Sequence, residues 1–287
     1  VKYIFYKAPK GYEDALAPAI ISGAAACGDE IILKKTEEYD GPEADGAVLI
    51  GVVKREILWG YRAAGKRVWY FDKGYTRSRA PFADKSLPEW WRICIDGTHP
   101  TEYLMRIQRP HDRLALMNVP ISEKRNFGKR IVILGSSAKF HLTHRITEPT
   151  EWTRDLIGVI RDFSDRPITY RPKPSWKYAV PVEGARFDHG SKTPVSSVLG
   201  DAWCTVTYGS IASVDSILAG VPCIVLGNAV AAPLCSDSIA DIEHPLWADL
   251  PTRKQWLANL AYCQWRPQEI ASGLAWRTTK ETADEFV

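Results

Sequence analysis

The chain has 287 residues, 45% of them hydrophobic and 25% charged, with a net charge of +3. That composition belongs to an ordinary globular protein and excludes disorder as the main theme, while the length suits two domains of roughly 130 to 150 residues each. No apolar run approaches the roughly 18 residues of a membrane span, and the opening VKYIFYKAPKGYED lacks the apolar centre of a signal peptide, so a cytoplasmic location is expected.

Hydrophobic periodicity predicts alternating strands and helices. In the first half, KYIFYKA is a strand, Asp14 to Cys27 an Ala-rich helix ended by Gly28, EIILKK a strand and GAVLIGV a strand. Lys54 to Ala64 then reads as a helix ended by Gly65, and RVWYF as a strand. A looser stretch follows, with a strand at Trp91 to Ile95 and a helix near Glu102 to Ile107. After ISEKRNFGK, whose Gly and charges suit a linker, the pattern starts afresh. RIVILGSS is a strand with a Gly-Ser turn, Glu148 to Phe163 a helix with Pro149 in its first turn, and PITYRPK a strand. TVTYGSIASVDSILAGVPCIVLG completes a βαβ unit. The last helices, around Arg253 to Cys263 and Pro267 to Trp276, either cap the second half or return to the first. Two doubly wound α/β halves imply two Rossmann-like domains, placed at 1–125 and 126–287, with the final helix open to packing back on the first.

Six scattered cysteines without a CxxC pair read as buried reduced thiols, and no Cys/His cluster has metal-site spacing. His141 and His144 lack a third ligand in range, so no metal is expected. Eleven tryptophans are many, and PEWWRI and KPSWKY place some in polar company, where their rings are expected to meet a ligand.

Ligands of open α/β sheets bind beyond the carboxyl ends of the strands, where loops converge and helix amides point outward. Four such ends carry polar residues: GSSAK with Ser137 and Lys139, YRPKPSW with Arg171 and Lys173, TYGS with Tyr208, Gly209 and Ser210, and LGNAVAAPL. Gly209 and Ser210 at a helix start suit a diphosphate, with Arg171 and Lys173 as countercharge. Asp215, five residues into the helix, faces a ribose hydroxyl or stabilises the helix start. GxxxxGK[ST], GxGxxG and GxSxG are all absent, which disfavours P-loop, dinucleotide and α/β-hydrolase chemistry.

The run VTYGSIASVDSILAGVPCIVLG resembles the donor-binding signature of GT-B glycosyltransferases, especially capsule-polysaccharide-type enzymes, and YRPKP resembles the strand end that precedes it. Position 215 carries Asp where that pattern usually has Glu. The stretches YRPKPSW, TYGSIASVDSILAGVP, LAYCQW and EIASGLAW also resemble a bacteriophage family suspected of glycosylating modified DNA. The resemblance implies two Rossmann-like domains facing across a cleft and a metal-independent glycosyltransferase with no tightly bound cofactor. Its co-substrate would be a nucleotide sugar, a UDP-sugar foremost.

In such an enzyme the first domain presents the acceptor and the base. Residues 54–130 hold 17 Lys and Arg against 8 Asp and Glu, a local +9. Basic residues interleaved with aromatics (Lys73, Tyr75, Arg77, Arg79, Trp90, Trp91, Arg92) suit a polyanionic acceptor such as 5-hydroxymethylated pyrimidine in phage DNA. The alternatives are a surface-glycan acceptor or a non-catalytic nucleotide or nucleic-acid binding module. Asp72, closing the strand RVWYF, is the first choice of base, followed by His99 and Asp96, then Glu13.

Overall fold

The structure is a computed structural model describing residues 1–8, 13–51, 54–76, 89–124, 128–190 and 193–286. In chain order the first elements are β1 (Lys2–Lys7), α1 (Glu13–Ala25), β2 (Glu30–Lys35), β3 (Gly46–Ile50), α2 (Arg55–Ala63), β4 (Arg67–Lys73), β5 (Trp91–Ile95) and α3 (Asp112–Met117). A second run holds β6 (Arg130–Leu134), α4 (Ala138–His144), α5 (Pro149–Arg161), β7 (Ile168–Arg171), β8 (Arg186–Phe187), α6 (Ser196–Leu199), β9 (Ala202–Thr207), α7 (Ala212–Leu218) and β10 (Cys223–Val225). The chain ends with α8 (Leu250–Ala261), β11 (Gln264–Trp265), α9 (Pro267–Ala271) and α10 (Leu274–Phe286). Two compact units result, one of Val1–Tyr103 with Leu260–Val287, the other of Leu104–Asn259.

The first unit holds a six-stranded sheet in the order β11-β5-β4-β3-β1-β2. β1 to β4 run parallel, whereas β5 and β11 are antiparallel additions at one edge. Because side chains alternate across a strand, β4 feeds two cores. Val68 and Tyr70 pack on one face with Tyr6, Leu49 and Tyr61, while Trp69 and Phe71 pack on the other with Trp91, Trp265 and Trp276. Trp69 and Trp276 stack with ring centroids 3.6 Å apart, which fastens α10 to the sheet. Many of the tryptophans are therefore core. Trp91 and Trp176, expected from their polar neighbours to meet a ligand, are buried in the apolar cores of the first and second units, because their strand or turn geometry turns the rings inward.

Glu102 to Ile107, expected as a helix, forms turns instead. The Asn259 amide donates to the carbonyls of Leu104 (2.7 Å) and Ile107 (3.0 Å), supplying from a distant helix the hydrogen bonds that so short a helix would have to make locally. The helix expected over Pro267 to Trp276 is two helices, divided at Gly273 with φ +81°. Gly23 sets how near α1 and α9 approach, since a Cβ there would lie 1.9 Å from the Ile270 carbonyl oxygen.

The second unit holds five parallel strands in the order β10-β9-β6-β7-β8. Its first strand, β6, is central. The chain builds outward through β7 and β8, then returns to the other side of β6 to lay down β9 and β10. The order reverses between β6 and β9, the position at which open α/β sheets hold ligands beyond the strands' carboxyl ends.

Asp29 ties α10 to the first unit. Its buried carboxylate accepts from the Trp276 indole (2.8 Å) and the Lys280 ammonium (3.1 Å). Burial pushes its pKa up, but these donors outweigh it and hold the carboxyl below its ordinary value. A depressed carboxylate stabilises fully above its unfolded pKa, about 3.9, and loses that contribution as pH falls through the folded value. Asp29→Ala should therefore cost roughly 2 to 4 kcal/mol at neutral pH. The gap between wild-type and mutant melting temperatures should narrow below about pH 4.

Candidate functional site

The residues expected at the second unit's strand ends fall into two groups. At the reversal of strand order, β6 leads through Gly135 and Ser136 into α4, whose first turn is capped by the Ser137 hydroxyl accepting from the Phe140 amide at 3.4 Å. β9 leads through Tyr208, Gly209 and Ser210 into α7. Both loops leave the carboxyl ends of these neighbouring strands, and Lys139 lies exposed at the start of α4. Only glycine fits at 209, because a Cβ would lie 2.4 Å from Phe140 Cζ and 2.6 Å from the Asn228 carbonyl oxygen. Tyr208 packs edge-on toward Phe140 and Trp152. Phe140, absent from the sequence reading, joins the two loops; it stands one residue past GSSAK, between Lys139 and His141, with no motif to mark it.

The Ser210 turn is internally bonded. Its amide donates to the Thr207 hydroxyl (3.0 Å), which itself donates to the Leu134 carbonyl (2.8 Å), locking β9 to β6 just before the loops part. The Ser210 hydroxyl oxygen accepts from the Ala212 amide at 3.3 Å. Asp215 lies half-buried within α7, at its first turn.

Arg171 and Lys173 differ from each other. Lys173 is exposed past β7. Arg171 is buried, with a side-chain exposure of 4%, and is ion-paired to Asp188. It also donates to the Thr193 hydroxyl (3.1 Å), the Thr193 carbonyl (2.5 Å) and the Gly190 carbonyl (3.2 Å). The guanidinium thus pins the connection after β8 to the end of β7. The sequence reading missed Asp188 and Thr193, 17 and 22 residues downstream, because no motif links them to YRPKP.

In the first unit Asp72 and Arg92 face each other across the β4–β5 pairing. Arg92 donates to Asp72 Oδ2 at 2.7 Å, with side-chain exposures of 5% and 34%. Tyr70 donates to the same oxygen (3.0 Å), and the Lys73 amide to Oδ1 (2.7 Å). The Arg92 guanidinium lies over the rings of Tyr70 (5.4 Å) and Tyr75 (5.1 Å) and reaches His99 Nδ1 at 3.4 Å. Tyr75 Oη is 3.0 Å from the same nitrogen. Although burial opposes its charge, Asp72 and the two tyrosines raise the Arg92 pKa well above its ordinary value. Gln264, unforeseen in the sequence, accepts from the Tyr75 amide (2.6 Å) and the Thr76 amide (3.0 Å) from 189 and 188 residues away.

Asp72 and His99 thus meet through Arg92, whereas Asp96 sits apart. Asp96 has φ +61° and closes a turn at the amino end of β4, its carboxylate accepting from the Val68 amide at 2.7 Å. Burial raises its pKa. Tyr75, Trp90, Trp91 and Arg92 are all buried, so none of the four presents an open face for a base to stack on. Trp90 is covered by the Arg266 guanidinium at 4.5 Å. Lys73 is half-buried at the end of β4; Arg77 and Arg79 lie outside the described residues, and nothing is described for the Glu13 side chain. Among the described residues no three His, Cys, Asp or Glu side chains gather to hold a metal, and no helix is long and apolar enough to cross a membrane.

No protein-family model and no curated protein matches the sequence. Solved structures do resemble the fold. KpsC of Thermosulfurimonas dismutans, a beta Kdo 2,4 transferase, is similar with a TM-score of 0.53 at 11% identity, over 89% of each chain. The beta Kdo 2,7 transferase KpsC of the same organism gives 0.50 at 12% identity, over 96% of this chain and 99% of that one. The α/β architecture with two largely parallel sheets is the GT-B glycosyltransferase fold.

Arg171→Lys keeps the charge but not the planar fork. It should lower the melting temperature and speed amide exchange at Gly190, whose backbone carbonyl and amide both belong to the pinned turn. Unchanged exchange at Gly190 would count against the clamp.

Proposed function

We propose that the chain is a glycosyltransferase that moves a sugar from a nucleotide-sugar donor, a UDP-sugar foremost, to an acceptor hydroxyl. The carrying observation is the reversal of strand order between β6 and β9, with the Gly135–Ser137 and Tyr208–Ser210 loops both at the carboxyl ends there. The second unit holds the donor, its diphosphate against these loops with Lys139 and Lys173 as the exposed cations. Arg171 contributes by holding the neighbouring turn in place. Asp215 lies beside the ribose.

The first unit presents the acceptor. Asp72 takes the acceptor hydroxyl's proton as that oxygen attacks the anomeric carbon; the bond from that carbon to the diphosphate oxygen breaks, and the nucleoside diphosphate leaves with the electron pair. No metal is assigned to the step.

A glycan hydroxyl is the better-supported acceptor. Burial of Tyr75, Trp90, Trp91 and Arg92 removes the ring faces and the guanidinium that a DNA reading would use, and both similar structures carry names of sugar transferases acting with Kdo. DNA with a modified pyrimidine stays as the second reading on the +9 of residues 54–130. It predicts duplex binding that weakens steeply with salt.

A thermal-shift screen of nucleotides and nucleotide sugars tests the donor. A ligand at 100 times its Kd adds about 2.7 kcal/mol of stability. Absence of any shift across the screen would overturn the reading. With a donor in hand, Asp72→Asn should lower transfer about 10²- to 10⁴-fold while donor affinity is retained.

A further inference from the structure

The two proton-taking candidates of the first unit, Asp72 and His99, are joined by one guanidinium, and that connection assigns their roles. An arginine can donate hydrogen bonds but cannot accept them or lose its proton. Arg92 reaches Asp72 on one side (2.7 Å) and His99 Nδ1 on the other (3.4 Å). Were Nδ1 protonated, its hydrogen would confront the Arg92 N–H. Nδ1 must accept, so the neutral ring carries its proton on Nε2.

The remaining protons fall into line. Tyr75, 3.0 Å from Nδ1, turns its hydroxyl hydrogen to that nitrogen and leaves its oxygen to the Cys94 thiol at 3.9 Å. Burial keeps both groups protonated, raising the Tyr75 phenol and pushing the Cys94 thiol up to about 12. Tyr70 donates to Asp72 Oδ2. The order runs from Cys94 through Tyr75 to His99, and from Arg92 outward to both His99 and Asp72.

Resting on the transferase reading, we infer that Arg92 is a positioning residue which fixes His99 as the Nε2–H tautomer and holds the Asp72 carboxylate in place by an ion pair, so that Asp72, and not His99, accepts the acceptor's proton. His99 Nδ1, the ring's basic nitrogen in this tautomer, already accepts from Arg92 and Tyr75. It is no competitor to Asp72 as base.

The tautomer is read directly by long-range ¹H–¹⁵N NMR on histidine-labelled protein at neutral pH, with His99 assigned through a His99→Gln variant. The expected spectrum shows a protonated Nε2 and an unprotonated Nδ1. An Nδ1–H tautomer, an even mixture or an imidazolium would overturn the inference. In Tyr75→Phe, which leaves the Arg92 donor, the Nε2–H tautomer should persist; its loss there would make Tyr75 the determinant and sink the proposal. In folded Arg92→Met the preference should collapse to a mixture, and an unchanged tautomer would count against Arg92. If Arg92→Met does not fold, the wild-type and Tyr75→Phe spectra decide. These measurements need no nucleotide sugar, so they can fail while the transferase reading stands, and the reverse. Once a donor is identified, His99→Gln, which preserves an N–H donor, should keep transfer within about tenfold, against the 10²- to 10⁴-fold loss for Asp72→Asn.

Discussion

A guanidinium cannot shed its charge, so a protein that buries one must aim acceptors at its N–H groups. Each unit of this chain does so at a strand end. Arg92 draws Asp72 and His99 together beside β4, and Arg171 draws Asp188, Gly190 and Thr193 to the end of β7. A third, fully buried Arg253 donates to the carbonyls of Ser122 and Ala248 and stacks on Trp247 at 4.2 Å. Loops that would otherwise be free to wander are thereby fixed by charge. The cost of leaving any of these arginines without its partner is what makes the local geometry single-valued.

The same constraint explains where sequence reading succeeded and where it fell short. Strands such as KYIFYK and RIVIL declare themselves by local pattern, because side-chain alternation and apolar runs are properties of neighbours. The strand-order reversal between β6 and β9 follows from how those strands pair, which local pattern does not show. Arg92 and Arg171 looked from sequence like exposed ligands for phosphate, since each stands among polar or aromatic residues beside a strand end. Whether an arginine binds a ligand or a loop depends on residues such as Asp188 and Thr193, which lie 17 and 22 positions from Arg171. Trp90 and Trp91 misled for a related reason: a polar neighbour in sequence says nothing of the next layer of the fold. His99 could be placed near Asp72 only once Arg92 was seen to lie between them.

Charge counted along a chain is likewise not charge displayed on a surface. Of the cations that make residues 54–130 so basic, Lys54 donates to the carbonyls of Thr36 and Tyr39, and Lys66 to that of Pro42. Arg67 pairs with Asp284 and Arg130 with Asp201, carboxylates that lie outside the counted segment and cancel charge within it. Arg92 is buried against Asp72. Among the described residues, at least these five of the seventeen are tied into the fold, and the field that a polyanion would meet is weaker than the local +9 implies.

The division of labour in the second unit has the same origin. Where β7 ends, polar groups are consumed by one another through Arg171, and the result is a rigid turn. Where β6 and β9 end, close backbone approach does the fixing instead: Gly209 admits Phe140 and Asn228 within reach of its Cα, and the Thr207 hydroxyl bridges the two strands just below. Packing of that kind acts alongside the internal hydrogen bonds of the Ser210 turn, whose amide is already given to the Thr207 hydroxyl. Steric locking at the strand-order reversal and ionic locking beside it thus fix neighbouring strand ends by different physical means.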